Sequence, residues 1–156
     1  MLVLLIAGCT ERKFRENETS AMAPTIKPNE VVSADMAAYK STSPKRWDVV
    51  VFQPTPVPEK EKDFWMMRVV GLPGETIEIS EQGVNINGQS PSRPASLNEI
   101  NYSPVSEIVK GKAVSFPFTI PDGTCFVLGD NVNNSFDSRF WGALPMDSIK
   151  GKIKNK

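Results

Sequence analysis

The chain has 156 residues, enough for one well-packed core and too few for two independent ones. Eighteen basic and eighteen acidic side chains cancel, and no run of lysine or arginine is dense enough to neutralise a phosphate backbone, which argues against nucleic acid as a partner. Histidine is absent, so the usual neutral-pH general base and zinc ligand is missing; no metal or other cofactor is expected, and any proton transfer falls to lysine or a carboxylate.

At the N-terminus, "LVLLIAGC" is an apolar run followed by small residues and Cys9, the pattern of a bacterial lipobox in which the cysteine is lipidated. The run over residues 2–6 is short for a signal core and has no basic segment before it. The stub of a membrane anchor and an ordinary buried segment therefore remain alternatives, the full span of about 20 apolar residues being absent. The first two readings agree on a membrane tether. Residues 1–18 are expected to form this tether and a polar linker, and residues 19–156 a single β domain.

The remaining chain reads as mainly β. Thirteen prolines interrupt it, and no long segment carries apolar residues at a period of 3.6. Residues 47–52, 64–70, 76–79 and 125–128 hold the β-branched and aromatic residues of strands. In "GVNINGQS", Asn87-Gly88 supplies the positive φ angles of a two-residue turn, and Val84 and Ile86 alternate before it. Residues 53–63 and 90–104 are polar or proline-rich and read as loops. Cys125, beside Phe126 and Val127, suits core packing; a bridge to Cys9 is possible in principle, but the two cysteines sit in contexts that point to different roles.

Three separated segments, in order, resemble the type I signal peptidases. "SAMAPTIKPNEVV" is similar to that family's S-x-S-M-x-P-T-L box and the strand after it. "MMRVVGLPGETIEI", continuing into "GVNINGQ", resembles K-R-V-V-G-L-P-G-D-x-V-x-I. "GTCFVLGDNVNNSFDSRFWG" is close to G-x-x-F-V-x-G-D-N-R-D-N-S-x-D-S-R-x-W-G, with Val132 and Asn133 departing from the family's Arg-Asp. The resemblance runs from about residue 19 to 152 and implies an antiparallel β-sheet or barrel fold with few short helices. It also implies a serine nucleophile whose proton passes to a neutral lysine.

Neither dyad group stands at its place. Matching Met22, Pro24 and Thr25 to the first box puts Ala21 on the nucleophile, and matching "RVVGLPG" without a gap puts Met67 on the lysine. A methyl group cannot attack a carbonyl, and a thioether is not a useful proton acceptor. Methionine can instead fill a lysine-sized slot without a buried amine. Ser20 lies one position from Ala21 and Lys62 five from Met67, so on extended chain both face the wrong way; Lys40, Lys45 and Lys60 stay open. The resemblance further implies an oxyanion-hole role for Thr19, contact with the lysine for Ser135, and a bracing charge network of Arg68, Asp130, Asp137 and Arg139. A simple reading of those four charges is as ion pairs that hold loops.

Two functions follow. One is a non-catalytic, membrane-tethered signal-peptidase-like lipoprotein, on the outer face of a membrane, that binds an extended peptide or a partner protein by strand addition. The alternative is an active signal peptidase with a non-standard nucleophile and base.

Overall fold

The strand residues of this chain pair into two antiparallel sheets in the computed structural model, which describes residues 10–18, 20–60, 63–104 and 113–156. Cys9, Thr19 and Lys62 lie outside the described residues. Ten strands follow in chain order: β1 (Glu11–Arg15), β2 (Val31–Asp35), β3 (Val49–Phe52), β4 (Trp65–Gly71), β5 (Thr76–Ser80), β6 (Gly83–Ile86), β7 (Phe118–Thr119), β8 (Thr124–Leu128), β9 (Leu144–Pro145) and β10 (Ile149–Ile153). The larger sheet has the order β1-β2-β10-β3-β4-β8-β9, and the smaller the order β6-β5-β7. Among the described residues the one α-helix, α1 (Ser138–Trp141), is a single turn. Mainly β with few short helices is therefore the architecture, as the strand pattern predicts.

Burial explains which strands sit where. All four residues of β3 are buried, which fits a strand covered on both faces in the middle of a sheet. β8 alternates: Cys125 and Val127 enter one apolar cluster with Met22, Val49, Val51 and Met67, while Phe126 and Leu128 enter a second cluster with Val70, Ile77 and Ile120. A period-two strand thus serves both cores at once. Cys125 is a free, fully buried thiol whose pKa burial pushes up to about 12, so it acts as a small hydrophobe. The second cluster closes tightly over Gly71, where an added Cβ would lie 2.2 Å from Ile120 Cδ1 and 3.0 Å from Phe126 Cβ.

Three features differ from the sequence reading. Residues 11–15, read as polar linker, form β1 and pair in full with β2, Glu11 opposite Asp35 and Arg15 opposite Val31. An edge strand needs little apolar surface, and charge on its outer side is how edges avoid further pairing; half-buried Phe14 stacks on Phe64 at 5.4 Å and joins β1 to the core. The stretch over residues 90–104 is loop with one short 3-10 turn, as read, yet it is not superficial and contributes Leu97, Ile100 and Tyr102 to the second core cluster. The Asn87-Gly88 turn forms as expected, with φ of 51° and 80°, but beyond it only Gln89 bridges back to Ile86. The partner of β6 is β5, through the turn at residues 81–82.

One polar hub crosses the core. On β4, Met67 and Val69 point into the first cluster and Arg68 to the other side. The Arg68 guanidinium donates to Asp130 (Nε to Oδ1 2.9 Å, Nη2 to Oδ2 2.6 Å) and to the Trp47 carbonyl at 2.8 Å. The Tyr102 hydroxyl donates to the same carboxylate at 2.6 Å, and the Thr25 hydroxyl does so as well. Burial disfavours the charge on Arg68, but the hydrogen bonds and field of Asp130 outweigh it and raise the pKa; burial, then the Asp130 charge, raise that of Tyr102. Asp130→Ala leaves a buried guanidinium without its counter-charge and is expected to cost about 3–5 kcal/mol in urea unfolding. A loss under roughly 1 kcal/mol, the size of an exposed pair, would contradict this role.

Candidate functional site

The first matched segment folds as a run of turns over residues 21–26, anchored by two fully buried side chains, Met22 and Ile26. Ile26 N–H closes onto the Met22 carbonyl at 2.9 Å. Ser20 enters this run with φ of 26°, a region that costs a non-glycine residue energy unless its surroundings hold it there. Its buried hydroxyl donates to the Ile26 carbonyl at 2.6 Å, and Asn131 grips the peptide from the far side. Asn131 N–H donates to Ala21 O at 2.9 Å, and Asn131 Nδ2 donates to Ser20 O at 3.0 Å. The Ser20 hydroxyl is therefore committed to the Ile26 carbonyl, held there by a run of turns rather than by the extended chain expected from the sequence.

The three matched segments converge on one cavity of about 780 Å³. Ala21 comes from the turn run and Met66 and Met67 from β4, where Met67 stands opposite Val50. Residues 133–136 form a third wall, and Arg15, Glu16 and Asn17 a fourth. The Ser135 hydroxyl is buried and, among the described residues, has no hydrogen-bond partner. Its neighbourhood is tight: a Cβ on Gly129 would lie 2.2 Å from Ser135 Oγ and 2.5 Å from Ala21 O, so only glycine lets the loop after β8 approach the turn run this closely.

Acyl transfer needs a nucleophile with a base within about 3 Å. The described residues of the cavity wall include one hydroxyl, that of Ser135, and no lysine. Lys40, Lys45 and Lys60 are exposed, and Lys60 lies 3.7 Å from Asp63 at the surface. Met67 is 3% exposed, packed in the first core cluster. The arrangement offers a shaped, partly apolar slot beside β4, and its described wall holds no hydroxyl paired with a base. Among the described residues, no group of three or more histidine, cysteine, aspartate or glutamate side chains is placed to hold a metal.

The four charges form two separate buried ion pairs. Beside Arg68 and Asp130, Asp137 accepts from Arg139 at Nε (2.8 Å) and Nη2 (2.9 Å). Asp137 also caps α1 through Arg139 N–H and accepts Gly129 N–H at 3.1 Å. Arg139 reaches the carbonyls of Ser103 at 3.0 Å and Val132 at 2.8 Å. One pair thus ties β4 to the turn run and the residue 102 loop, and the other fixes the loop that carries Ser135. None of these four side chains lines the cavity.

Two contributors were not evident from sequence. Asn131 belongs to a matched motif, but its double hold on the Ser20–Ala21 backbone depends on a contact between positions more than a hundred residues apart. Glu16, in a stretch read as linker, is 5% exposed and lines the cavity. Burial raises its pKa, opposed by the Asn17 N–H that its Oε1 accepts at 2.9 Å. A lone glutamate among polar residues carries no sequence signal of burial.

Known proteins resemble this chain in sequence and fold. The family model described as signal peptidase, peptidase S26 matches residues 1–155. A probable signal peptidase I-2 of Synechocystis is 34% identical over 137 residues, covering 86% of this chain and 57% of that protein. A signal peptidase I of Leptolyngbya laminosa is 35% identical over 138 residues, covering 86% and 63%. The chain thus spans about three fifths of the length of these curated relatives. The crystal structure of a signal peptidase I from Enterococcus faecalis superposes with a TM-score of 0.55 at 33% identity, over 72% of this chain and 98% of that one. With its antiparallel sheets, its three converging segments and a family match along almost its whole length, the chain belongs to the type I signal peptidase family.

Proposed function

We propose that this protein is a catalytically silent member of its family, tethered at a membrane, that uses the cavity to hold an extended peptide or a segment of a partner protein. In this reading Ala21 and Met67 stand at the nucleophile and base positions, and Thr19 is a remnant of the oxyanion hole. Ser135 is the former neighbour of the lysine, and the two ion pairs keep the frame. The observation that supports it most directly is the orphaned Ser135 hydroxyl. A buried hydroxyl without a partner is uncommon and costs stability, and its isolation is what removal of a neighbouring amine would leave. A thioether at Met67 supplies no donor. Binding would be by strand addition, the backbone of the guest pairing with β4 where it lines the cavity.

The relatives' names, signal peptidase I among them, supply the competing reading: an active peptidase with a different nucleophile. Incubation of the purified chain with a pre-protein separates the two. The natural chain is expected to leave the pre-protein intact while retaining it, and Ala21→Ser/Met67→Lys is the arm in which cleavage becomes chemically possible. Measurable cleavage by the natural chain would overturn the silent reading.

The tether in this proposal is a lipid on Cys9. From Cys9 to Ala21 is 12 residues (21 − 9), at most about 40 Å of extended chain, so the cavity would stay close to the outer face of the bilayer. Among the described residues no helix is long and apolar enough to cross a membrane. Mass spectrometry of the membrane fraction is expected to show Cys9 as a lipidated N-terminus; an unmodified Cys9 still joined to Gly8 would remove the lipoprotein reading.

A further inference from the structure

The cavity contains a buried carboxylate that no cation among the described residues meets. Glu16 N–H donates to the Glu30 carbonyl at 2.8 Å, which sets residue 16 beside the start of β2 and turns its side chain inward. The carboxylate accepts the neighbouring Asn17 N–H through Oε1, and among the described residues it has no ion pair. Other charges face the cavity from two walls. Arg15, on the same segment, sends Nη1 to the Asn29 carbonyl at 3.1 Å. Asp63, ahead of β4, lies near exposed Lys60. Residues 133–136 and Ala21 bring none. The described wall thus carries two carboxylates and one guanidinium already engaged with backbone, alongside an apolar face of Phe64, Trp65, Met66, Met67 and Phe136.

An apolar sleeve with an uncompensated carboxylate inside it is the complement of a flexible hydrocarbon stem ending in a positive charge. We propose that the guest is recognised through one lysine side chain, its stem along Trp65 and the two methionines and its ammonium on Glu16. Lysine fits better than arginine here because a two-oxygen guanidinium fork would have to share Oε1 with the Asn17 N–H, while a compact ammonium needs a single acceptor and can take Oε2 alone. The volume, about 780 Å³, lies in the range of sites that enclose small ligands. Without a guest, burial holds the Glu16 pKa above its ordinary value; an ammonium alongside lowers it again, so binding is expected to weaken as the medium is acidified.

This inference rests on the reading of the cavity as a peptide groove, and the test keeps the two apart. Blocked octapeptides of alanine and valine with one central residue, either lysine, norleucine or arginine, are titrated calorimetrically into the full chain and into Glu16→Gln. The amide oxygen of that variant can still accept the Asn17 N–H, and thermal melting at neutral pH checks that the variant is folded. The lysine peptide is expected to bind about tenfold or more tightly than the norleucine peptide, and Glu16→Gln is expected to abolish that preference. Equal affinity of the lysine and norleucine peptides, a preference that survives Glu16→Gln, or equal binding of the arginine peptide would overturn the lysine assignment while leaving the groove intact. If none of the peptides binds, the groove reading falls, and this inference with it.

Discussion

The Arg68–Asp130 pair is the constraint on which the rest of the structure depends. It lies in the interior, with its two side chains 3% and 0% exposed, and it collects groups from β4, the loop after β8, the turn run at Thr25, the Tyr102 loop and the Trp47 carbonyl. Two buried charges are worth having only if almost every polar atom between them is satisfied, and here the carboxylate accepts from three side chains. That satisfaction fixes the distance between the turn run and β4, and so the width of the cavity.

A consequence is that the frame does not depend on the side chains at positions 21 and 67. The turn run is held by Met22, Ile26, the Ser20 hydroxyl and Asn131, and the loop carrying Ser135 by Asp137 and Arg139. None of these contacts passes through the side chain of residue 21 or 67. A fold supported in this way can exchange its chemistry for hydrocarbon without losing its shape. In the proposed reading Ser135 marks the limit of that exchange, because its hydroxyl keeps a polar character for which the described surroundings provide no partner. The same cavity keeps Glu16, a charge for which its described wall provides no cation.

Much of this was legible in the sequence where local chemistry and global fold agree. The all-buried β3, the alternation of β8 and the Asn87-Gly88 turn each carry a period or a backbone requirement that few other structures satisfy. The polar β1 was hidden because an edge strand is defined by the strand beside it, and Glu11–Arg15 has one apolar side chain to announce it. Leu97, Ile100 and Tyr102 were hidden because proline and polar neighbours describe the backbone of that segment and not where its few large side chains go. The convergence of Ala21 and Met67 on one cavity, the burial of Glu16 and the isolation of the Ser135 hydroxyl depend on contacts between distant segments.

The central claim is that the two positions have relaxed into apolar packing, and thermal unfolding tests it most directly. Serine at 21 and lysine at 67 would put a hydroxyl and an amine into a site now filled by a methyl group and a thioether, and a buried amine must lose its hydration or its charge. The account predicts that the doubly substituted chain melts a few degrees below the natural one, a shift corresponding to about 1–2 kcal/mol for a domain of this size. An equal or higher melting temperature would show that the site still favours its polar pair, and would contradict the account.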